Sequence, residues 1–367
     1  APPRRPLRAA AARQPAARGR RPEGVTTSAR RAGRLLRRIL VALTAVAVVA
    51  ATGTTGWLLT LQHGTPAATA RTQGRDAVWL GHAWVDGRRG EADAVALAGR
   101  LRAGGFSDVY VHAGPLRDDG TLDPALAPRL PWVAGRMRAL VPGLRVQAWL
   151  GDVVGPDRMR LDDPATRERV VASAGQVLDA GADGVHYDLE PLPDGDAGYL
   201  ALLDATRRET RARGAVLSVA AEPVEPLAGT AAATTWARPV WWTPGYLREV
   251  ARRVDQVAMM TYDTALPSRR LYTGLVVRQL EVAAAVVPDD VTLLAGLPAY
   301  HGATVQHRPG AETVAAAVRA ARLAAPPAGT QAFGVALYAD FSATEDDWRA
   351  LGGWVSPPSG RTAAPLP

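Results

Sequence analysis

Between residues 76 and 355 the chain alternates short apolar runs of strand character with longer stretches whose apolar positions recur at helical spacing. Side chains alternate faces along a strand, whereas a helix returns to one face every three to four residues. The predicted strands are 77–80, 108–111, 145–150, 184–189, 215–220, 256–261, 292–297 and 333–338. The predicted helices are 91–103, 125–140, 164–180, 197–213, 244–254, 275–287, 311–324 and 344–351.

Eight strands that alternate with eight helices over this length predict an α/β protein with a (β/α)8 TIM barrel at residues 76–355. A doubly wound sheet is the structural alternative. It is disfavoured because no glycine-rich phosphate-binding sequence follows the first predicted strand. The catalytic groups of such barrels lie at the carboxyl ends of the strands, so the residues that end each strand are the candidates for chemistry.

Residues 39–61 precede the barrel and contain no charged side chain. About 20 apolar residues span a bilayer, so we interpret this segment as a single-pass anchor in the cell membrane with the barrel outside the cytoplasm. The alternative is a signal peptide with an Ala-x-Ala cleavage site at Ala68-Thr69-Ala70, which would release a secreted barrel after cleavage near Ala70. The long apolar stretch and the extended basic region before it favour the anchor. Residues 62–75 are expected to form a polar linker.

The positive charge of the chain is concentrated at its N-terminus. Residues 1–38 carry twelve arginines and one glutamate, hence +11, whereas the whole chain carries +8, so the remainder is −3. We therefore expect a basic disordered tail at 1–38 that flanks a membrane, and no nucleic-acid partner. A second loose tail is expected at 356–367. The chain has no cysteine, which excludes disulfides and thiolate metal sites.

The most informative stretch lies around the fourth predicted strand. His186, Asp188 and Glu190 alternate there with apolar residues, so period two places them together on one face. The Cα atoms of Asp188 and Glu190 would be roughly 6.5–7 Å apart. Buried carboxylates are costly unless they are used or paired, and mutual repulsion can raise one pKa enough to make an acid at neutral pH.

This stretch resembles the active-site strand of family 18 glycoside hydrolases, the chitinase family. The family signature Asp-Gly-x-Asp-x-Asp-x-Glu is similar to residues 183–190, except that His186 stands where the family has its middle aspartate. A second signature, Met-x-Tyr-Asp, is similar to residues 260–263. The resemblance implies a glycosidase that cleaves β-1,4-N-acetylglucosaminyl bonds by a substrate-assisted, retaining mechanism. It implies neither cofactor nor metal.

The resemblance also implies roles for individual residues. Glu190 would protonate the leaving glycosidic oxygen, Asp188 would hold the acetamido N–H of the substrate, and Tyr262 would position the acetamido oxygen. A histidine at 186 could donate a hydrogen bond to Asp188 or, as a cation, hold it ionised. The expected substrate-binding residues are His186, Asp263, Trp149, Gln147, Tyr300 and Tyr338, whereas Asp183 and Gly184 are expected to be structural.

The expected partner is a polysaccharide that contains N-acetylglucosamine, and residues 39–61 are expected to contact the membrane. Chitin, peptidoglycan and N-glycan cores all carry this sugar. Residues 245–257 look more like the spore-peptidoglycan branch than like secreted chitinases, which gives a slight preference for a bacterial cell-wall substrate.

Three other interpretations remain open at this point. A conventional two-carboxylate glycosidase would use Glu190 as acid and Glu222 as nucleophile. A metal-dependent hydrolase could draw its ligands from His82, His112, His186 and Asp188. The third is a non-catalytic, glycan-binding barrel whose site has decayed. It is favoured by His186 and by Tyr338, which stands where the family usually has a tryptophan on the eighth strand.

Overall fold

The structure is a computed structural model that describes residues 24–230, 240–327 and 329–355. Side chains are described from residue 35 onward. Eight parallel strands close into a barrel in which each strand pairs with its neighbours in the sequence and β8 pairs with β1. The strands are β1 Asp76–Leu80, β2 Phe106–Pro115, β3 Arg145–Val153, β4 Gly184–Glu190, β5 Val216–Ala221, β6 Gln256–Met259, β7 Thr292–Pro298 and β8 Phe333–Tyr338. The predicted TIM barrel is therefore confirmed.

Helices follow the strands. They are α1 Gly24–Leu61, α2 Glu91–Gly104, α3 Leu130–Leu140, α4 Pro164–Asp179, α5 Ala197–Ala212, α6 Pro244–Ala251, α7 Arg269–Ala284, α8 Val314–Ala324 and α9 Glu345–Val355, with short 3₁₀ turns at His82–Trp84 and Pro124–Leu126. The predicted helix at 125–140 begins later, because Asp123 caps the 3₁₀ turn instead. The helix predicted to begin at 275 begins at Arg269, because Ser268 accepts a hydrogen bond from the backbone N–H of Leu271.

Two layers of buried side chains fill the molecule. The larger layer lies between the strands and the surrounding helices, and the smaller one lies inside the barrel. The interior also holds a polar layer. Arg145 donates two hydrogen bonds to the buried carboxylate of Asp108, at 2.9 and 2.7 Å, and Gln256 donates to the same carboxylate at 3.4 Å. In this layer buried polar groups satisfy one another inside the barrel.

The N-terminal segment differs in part from expectation. Helix α1 begins at Gly24, so residues 24–38 are helical and the expected disordered tail does not extend across them. Residues 1–23 and 356–367 lie outside the described residues. Leu35–Leu61 is long and apolar enough to cross a membrane, a property that anchors and signal sequences share. Contacts divide the described residues into two compact units, with the boundary between Thr54 and Thr55.

Residues 62–75 pack onto the barrel and do not extend away from it as a free linker. Arg319 donates to the backbone carbonyls of Gln62 and Gly64, at 2.6 and 3.1 Å. Arg322 donates to the carbonyl of Ala70 at 3.1 Å, and Ala70 itself is buried. These contacts belong to the second of the two units and make this segment part of the folded barrel domain.

Candidate active site

A cavity of about 650 Å³ opens at the carboxyl ends of the strands. Its acidic lining comes from three strand ends, with Asp188 and Glu190 on β4, Glu222 after β5 and Asp263 after β6. A second cavity of about 290 Å³ shares Asp188 and Glu190 with the first, and Trp149 and Asp152 also line it. The carboxyl pair of β4 is therefore common to two neighbouring cavities.

Asp188 is held by a tryptophan of the neighbouring strand. The indole Nε1–H of Trp149 donates to Oδ2 of Asp188 at 2.8 Å. Gly151 lies opposite Asp188 in the β3–β4 register, and a Cβ there would lie 2.9 Å from the Asp188 carbonyl oxygen and 3.4 Å from the indole nitrogen. A glycine at this position therefore leaves room for the contact. The other carboxylate oxygen, Oδ1, is buried and has no hydrogen-bond partner among the described residues.

Glu190 is placed to carry a proton. Burial raises the pKa of Glu190 well above its ordinary value, and the charges of Asp188 and Glu222 raise it further. Burial also raises the pKa of Asp188, but the interactions of this carboxylate with Glu190 and Trp149 oppose that rise. Two such groups titrate as a pair, and Glu190 is the member that holds a shared proton, because Asp188 has the better hydrogen-bond support.

His186 lies inside the barrel, below this pair and without exposed surface. Ser218 donates its hydroxyl to Gln147 at 2.6 Å, so Ser218 accepts from Nδ1 of His186 at 2.7 Å. Nε2 of His186 accepts from the indole of Trp79 at 3.0 Å. Two fixed partners therefore define a neutral imidazole that carries its proton on Nδ1.

The expectations for His186 and Gln147 are not met in the structure. Burial lowers the pKa of His186 well below its ordinary value, so this residue is not a cation beside Asp188, and it does not line the cavity. Gln147 is fully buried, and its amide nitrogen donates to Asp108 at 2.7 Å and to Gln256 at 3.1 Å. Both side chains belong to the interior polar layer and do not reach a substrate.

Aromatic side chains form one wall of the larger cavity. Tyr262 and Tyr338 stack with ring centroids 5.5 Å apart, and the Tyr300 hydroxyl donates to Oδ1 of Asp263 at 2.6 Å. The structure adds Trp79 and Phe341, which the sequence analysis did not select. The alternation along β1 could have placed Trp79 on the interior face, whereas no periodic pattern covers the loop that carries Phe341.

Asp263 is fixed by a buried glutamate. Its backbone has a left-handed φ of 57°, and its N–H donates to Oε2 of Glu312 at 2.6 Å. The following N–H, that of Thr264, donates to both oxygens of the same carboxylate at 3.2 and 3.3 Å. Glu312 therefore determines how the chain turns after β6 and where Asp263 points.

Asp183 and Gly184 lie at the opposite end of β4. The Asp183 carboxylate accepts from the backbone N–H of Val146 at 2.8 Å and from Arg138 at 2.6 Å. A Cβ at Gly184 would lie 2.5 Å from the carbonyl oxygen of Val216, so a larger residue would push β5 away. Both contacts are structural in kind and distant from the cavity.

The ligand set of the metal-dependent alternative does not converge. His82 and His112 approach each other with their Nδ1 atoms 3.3 Å apart, and burial together with His82 lowers the pKa of His112 to about 4. His186, however, is occupied by Trp79 and Ser218 in the barrel interior. Among the described residues, Asp263, His307 and Glu312 form a group of three histidine and carboxylate side chains whose donor atoms converge.

Comparison with known proteins supports the fold. A scan against protein-family models finds no match. The spore cortex-lytic enzyme SleL of Bacillus megaterium QM B1551 is 13% identical, with a TM-score of 0.53 over 78% of this chain and 75% of that one. A chitinase from Chromobacterium violaceum ATCC 12472 is 17% identical, with a TM-score of 0.51 over 76% and 98%. A chitinase from Bacteroides thetaiotaomicron is 14% identical, with a TM-score of 0.52 over 79% and 99%. At these identities the similarity establishes a shared barrel fold.

Proposed function

We propose that the protein is a glycoside hydrolase that cleaves β-linked, N-acetylglucosamine-containing glycans by a substrate-assisted, retaining mechanism. The observation that carries this proposal is the pair on β4. Glu190 has a pKa raised by burial and by neighbouring carboxylates, and it stands beside an Asp188 carboxylate that Trp149 orients. The reaction requires a protonated acid beside an ionised carboxylate, and Glu190 and Asp188 would fill these two roles.

In the first chemical step the carboxyl groups of Glu190 and Asp188 have different tasks. Glu190 transfers its proton to the glycosidic oxygen as the bond to the anomeric carbon breaks. The acetamido oxygen of the same sugar bonds to that carbon from the other face, which gives a cyclic oxazolinium ion and the free alcohol. Asp188 accepts the acetamido N–H and stabilises the positive charge, and its buried Oδ1, which lacks a partner among the described residues, suits this contact.

In the second step Glu190 acts as a base. The carboxylate takes a proton from a water molecule, whose oxygen bonds to the anomeric carbon and opens the ring. The configuration is retained because the anomeric carbon is inverted twice. Burial raises the pKa of Tyr262 well above its ordinary value, so its hydroxyl remains a donor that can position the acetamido oxygen throughout.

The surrounding residues fit a sugar chain. The pair of β4 lines both cavities, as an enzyme needs if it cuts between two sugar units. Tyr338 and Tyr300 offer aromatic surface to the sugar in the larger cavity, and Trp149 does so in the smaller one. Asp263 would accept a sugar hydroxyl there. His186 is sealed from both cavities, which is why its departure from the family signature does not rule out turnover.

The polymer we favour is cell-wall peptidoglycan. One structural neighbour is named a spore cortex-lytic enzyme and others are named chitinases, and the preference for the former rests on residues 245–257 and on the apolar helix. As part of the same proposal, residues 39–61 anchor the barrel on the outer side of the membrane. Cleavage near Ala70 and secretion is the alternative outcome.

One comparison tests the proposal. Hydrolysis of a chromogenic N-acetylglucosamine oligomer is measured beside hydrolysis of the matching glucose oligomer, which lacks the acetamido group. We expect turnover of the first alone. Binding to insoluble chitin and to purified cell wall is measured with the same preparation. Binding without hydrolysis would establish the glycan-binding alternative, and equal hydrolysis of both oligomers would exclude substrate assistance.

A further inference from the structure

A second group of side chains converges beside the cavity, outside the carboxyl pair of β4. Asp263 follows β6, His307 lies between β7 and α8, and Glu312 lies two residues before α8. One donor atom from each lies within 4.8 Å of the other two. We refer to Asp263, His307 and Glu312 as the loop triad.

The distances within the loop triad are unusual for hydrogen bonds. Nδ1 of His307 lies 3.3 Å from Oδ1 of Asp263 and 3.4 Å from Oε2 of Glu312. Charge-assisted N–H···O bonds are typically about 2.7–2.9 Å long. Neither ring nitrogen of His307 has a hydrogen-bond partner among the described residues. Ligands that share a tetrahedral cation at about 2.0–2.1 Å lie about 3.3–3.4 Å apart, which matches the two distances from His307.

The burial of the loop triad and the charge of Glu312 also favour a bound cation. The side chains of His307 and Glu312 have no exposed surface. Among the described residues, the ion-pair contact of Glu312 is with His307 alone. The carboxylate accepts from the backbone N–H groups of Asp263, Thr264 and Arg308, between 2.6 and 3.4 Å, and from the Thr264 hydroxyl at 3.2 Å.

These donors orient Glu312 but bring no full positive charge. A buried carboxylate is costly without a countercharge, and a cation among the three donor atoms would supply one. Oε2 receives one short hydrogen bond, from Asp263, and one long hydrogen bond that Thr264 shares between both oxygens. A carboxylate offers about four lone-pair sites, so a further ligand bond from Oε2 is possible.

We propose that the loop triad binds one divalent transition-metal cation of the zinc type. An imidazole nitrogen with two carboxylate oxygens suits zinc and its neighbours in the first transition series, whereas calcium and magnesium prefer oxygen ligands alone. The cation ties the end of β6 to the β7–α8 loop. Because Asp263 also accepts from Tyr300, the cation fixes part of the cavity wall, and it takes no step in glycosidic bond cleavage.

Metal binding by the purified full-length chain tests this proposal directly. The protein is stripped with EDTA and titrated with ZnCl₂ against a chromophoric chelator, and in parallel with CoCl₂ while visible absorption is recorded. We expect one zinc per chain, the absorption of four-coordinate Co²⁺, and a higher melting temperature with zinc. His307→Gln should abolish all three effects, and Glu312→Gln should abolish or strongly weaken them.

The matched control is His301→Gln. His301 lies in the same loop, is about half exposed at 52%, and contacts Asp347, so its loss should leave zinc binding unchanged. Circular dichroism checks the folding of each variant. If a variant does not fold, Asp263→Asn is measured in its place and should likewise weaken zinc binding. Zinc binding below one equivalent in the wild type, or binding that persists in His307→Gln, would overturn the proposal. No readout depends on hydrolysis, so failure here leaves the proposed enzymatic function untouched.

Discussion

The indole nitrogen of Trp149, on β3, donates a hydrogen bond to Oδ2 of Asp188, on β4, at 2.8 Å. Trp149 was selected from the sequence as a substrate contact, and the structure gives it this additional partner. A donor to a carboxylate favours its ionised form. In the proposed mechanism Trp149 is thus a positioning residue for the carboxylate of Asp188.

Trp149→Phe tests this relationship, because it keeps an aromatic ring and removes the donor. Hydrogen bonds to charged groups contribute about 1.5–3 kcal/mol, so we expect the pKa of Asp188 to rise and kcat to fall roughly tenfold. The acidic limb of the pH profile should therefore move to higher pH. An unchanged acidic limb, measured on the N-acetylglucosamine oligomer, would show that the contact does not tune Asp188.

Glu190→Gln should separate binding from chemistry. Loss of a positioned proton donor should reduce kcat by at least about 10²-fold while oligomer binding, measured by calorimetry, is largely retained. Glu222→Gln is the matched change at the neighbouring carboxylate. It removes a charge that raises the pKa of Glu190, so the basic limb should move to lower pH with only a modest loss of kcat. An equally large loss in Glu222→Gln would favour the two-carboxylate mechanism.

His186→Asp restores the family signature but should destabilise this barrel. The hydroxyl of Ser218 already donates to Gln147, so a carboxylate at 186 would face an acceptor unless it took up a proton. We expect a loss of about 1–3 kcal/mol at pH 7 in chemical denaturation. His186→Asn, which keeps an N–H donor, is the control and should lose less.

The sign of the pH dependence provides a second check on His186→Asp. The wild-type histidine has a lowered pKa, so it costs stability as the pH falls below about 6.5. A buried aspartate has a raised pKa, so its contribution is fully present at low pH and is lost as the pH rises. The stability difference between the two proteins should therefore shrink on acidification. A constant difference from pH 7 to pH 4 would contradict this account.

Asp76 gives a prediction that is independent of function. Burial raises the pKa of Asp76 from 3.8 to about 6, against the hydrogen bonds from Thr72, Val335 and Trp354. The stability it contributes is fully present below pH 3.8 and is lost as the pH rises through about 6. The stability of the wild type relative to Asp76→Asn should therefore fall by up to about 3 kcal/mol over this range. Asp86→Asn, at an exposed carboxylate, is the control, and an equal pH slope in both variants would refute the assignment.

The apolar runs were sufficient to predict the place of every strand of the barrel, because a helical pattern follows each of them. They underestimated β2, which extends from Phe106 to Pro115 and whose pairing with β3 shifts register between His112 and Gly114.

The apolar runs were less informative about the site, because period two assigns a side chain to a face and not to a height along the barrel axis. His186 and Gln147 lie on the predicted interior face, but one layer too deep to meet a substrate. Asp188 and Glu190 lie on the same face at the carboxyl end of β4, and both line the cavity.

The residues that the sequence analysis missed lie mainly in loops. His307 and Glu312 are separated from Asp263 by more than forty residues, and neither belongs to a motif. Glu312 falls inside the helix predicted at 311–324, but that helix begins only at Val314, because Thr313 caps it by accepting a hydrogen bond from the backbone N–H of Ala316. The convergence of His307 and Glu312 with Asp263 follows from the parallel pairing of β6 with β7, which brings the carboxyl ends of these two strands together. Such contacts can be found only after the strand order is known.

The burial of Ala70 and its hydrogen bond from Arg322 have a consequence for how the chain matures. A signal peptidase cleaves an extended, accessible segment, whereas Ala70 is buried and its carbonyl is held by Arg322. Cleavage after Ala70 would thus have to precede completion of the barrel, which makes processing and folding kinetic competitors. A chain whose barrel closes first would keep its N-terminal helix for as long as it stays folded, and the rate of translocation would then decide between an attached and a released barrel.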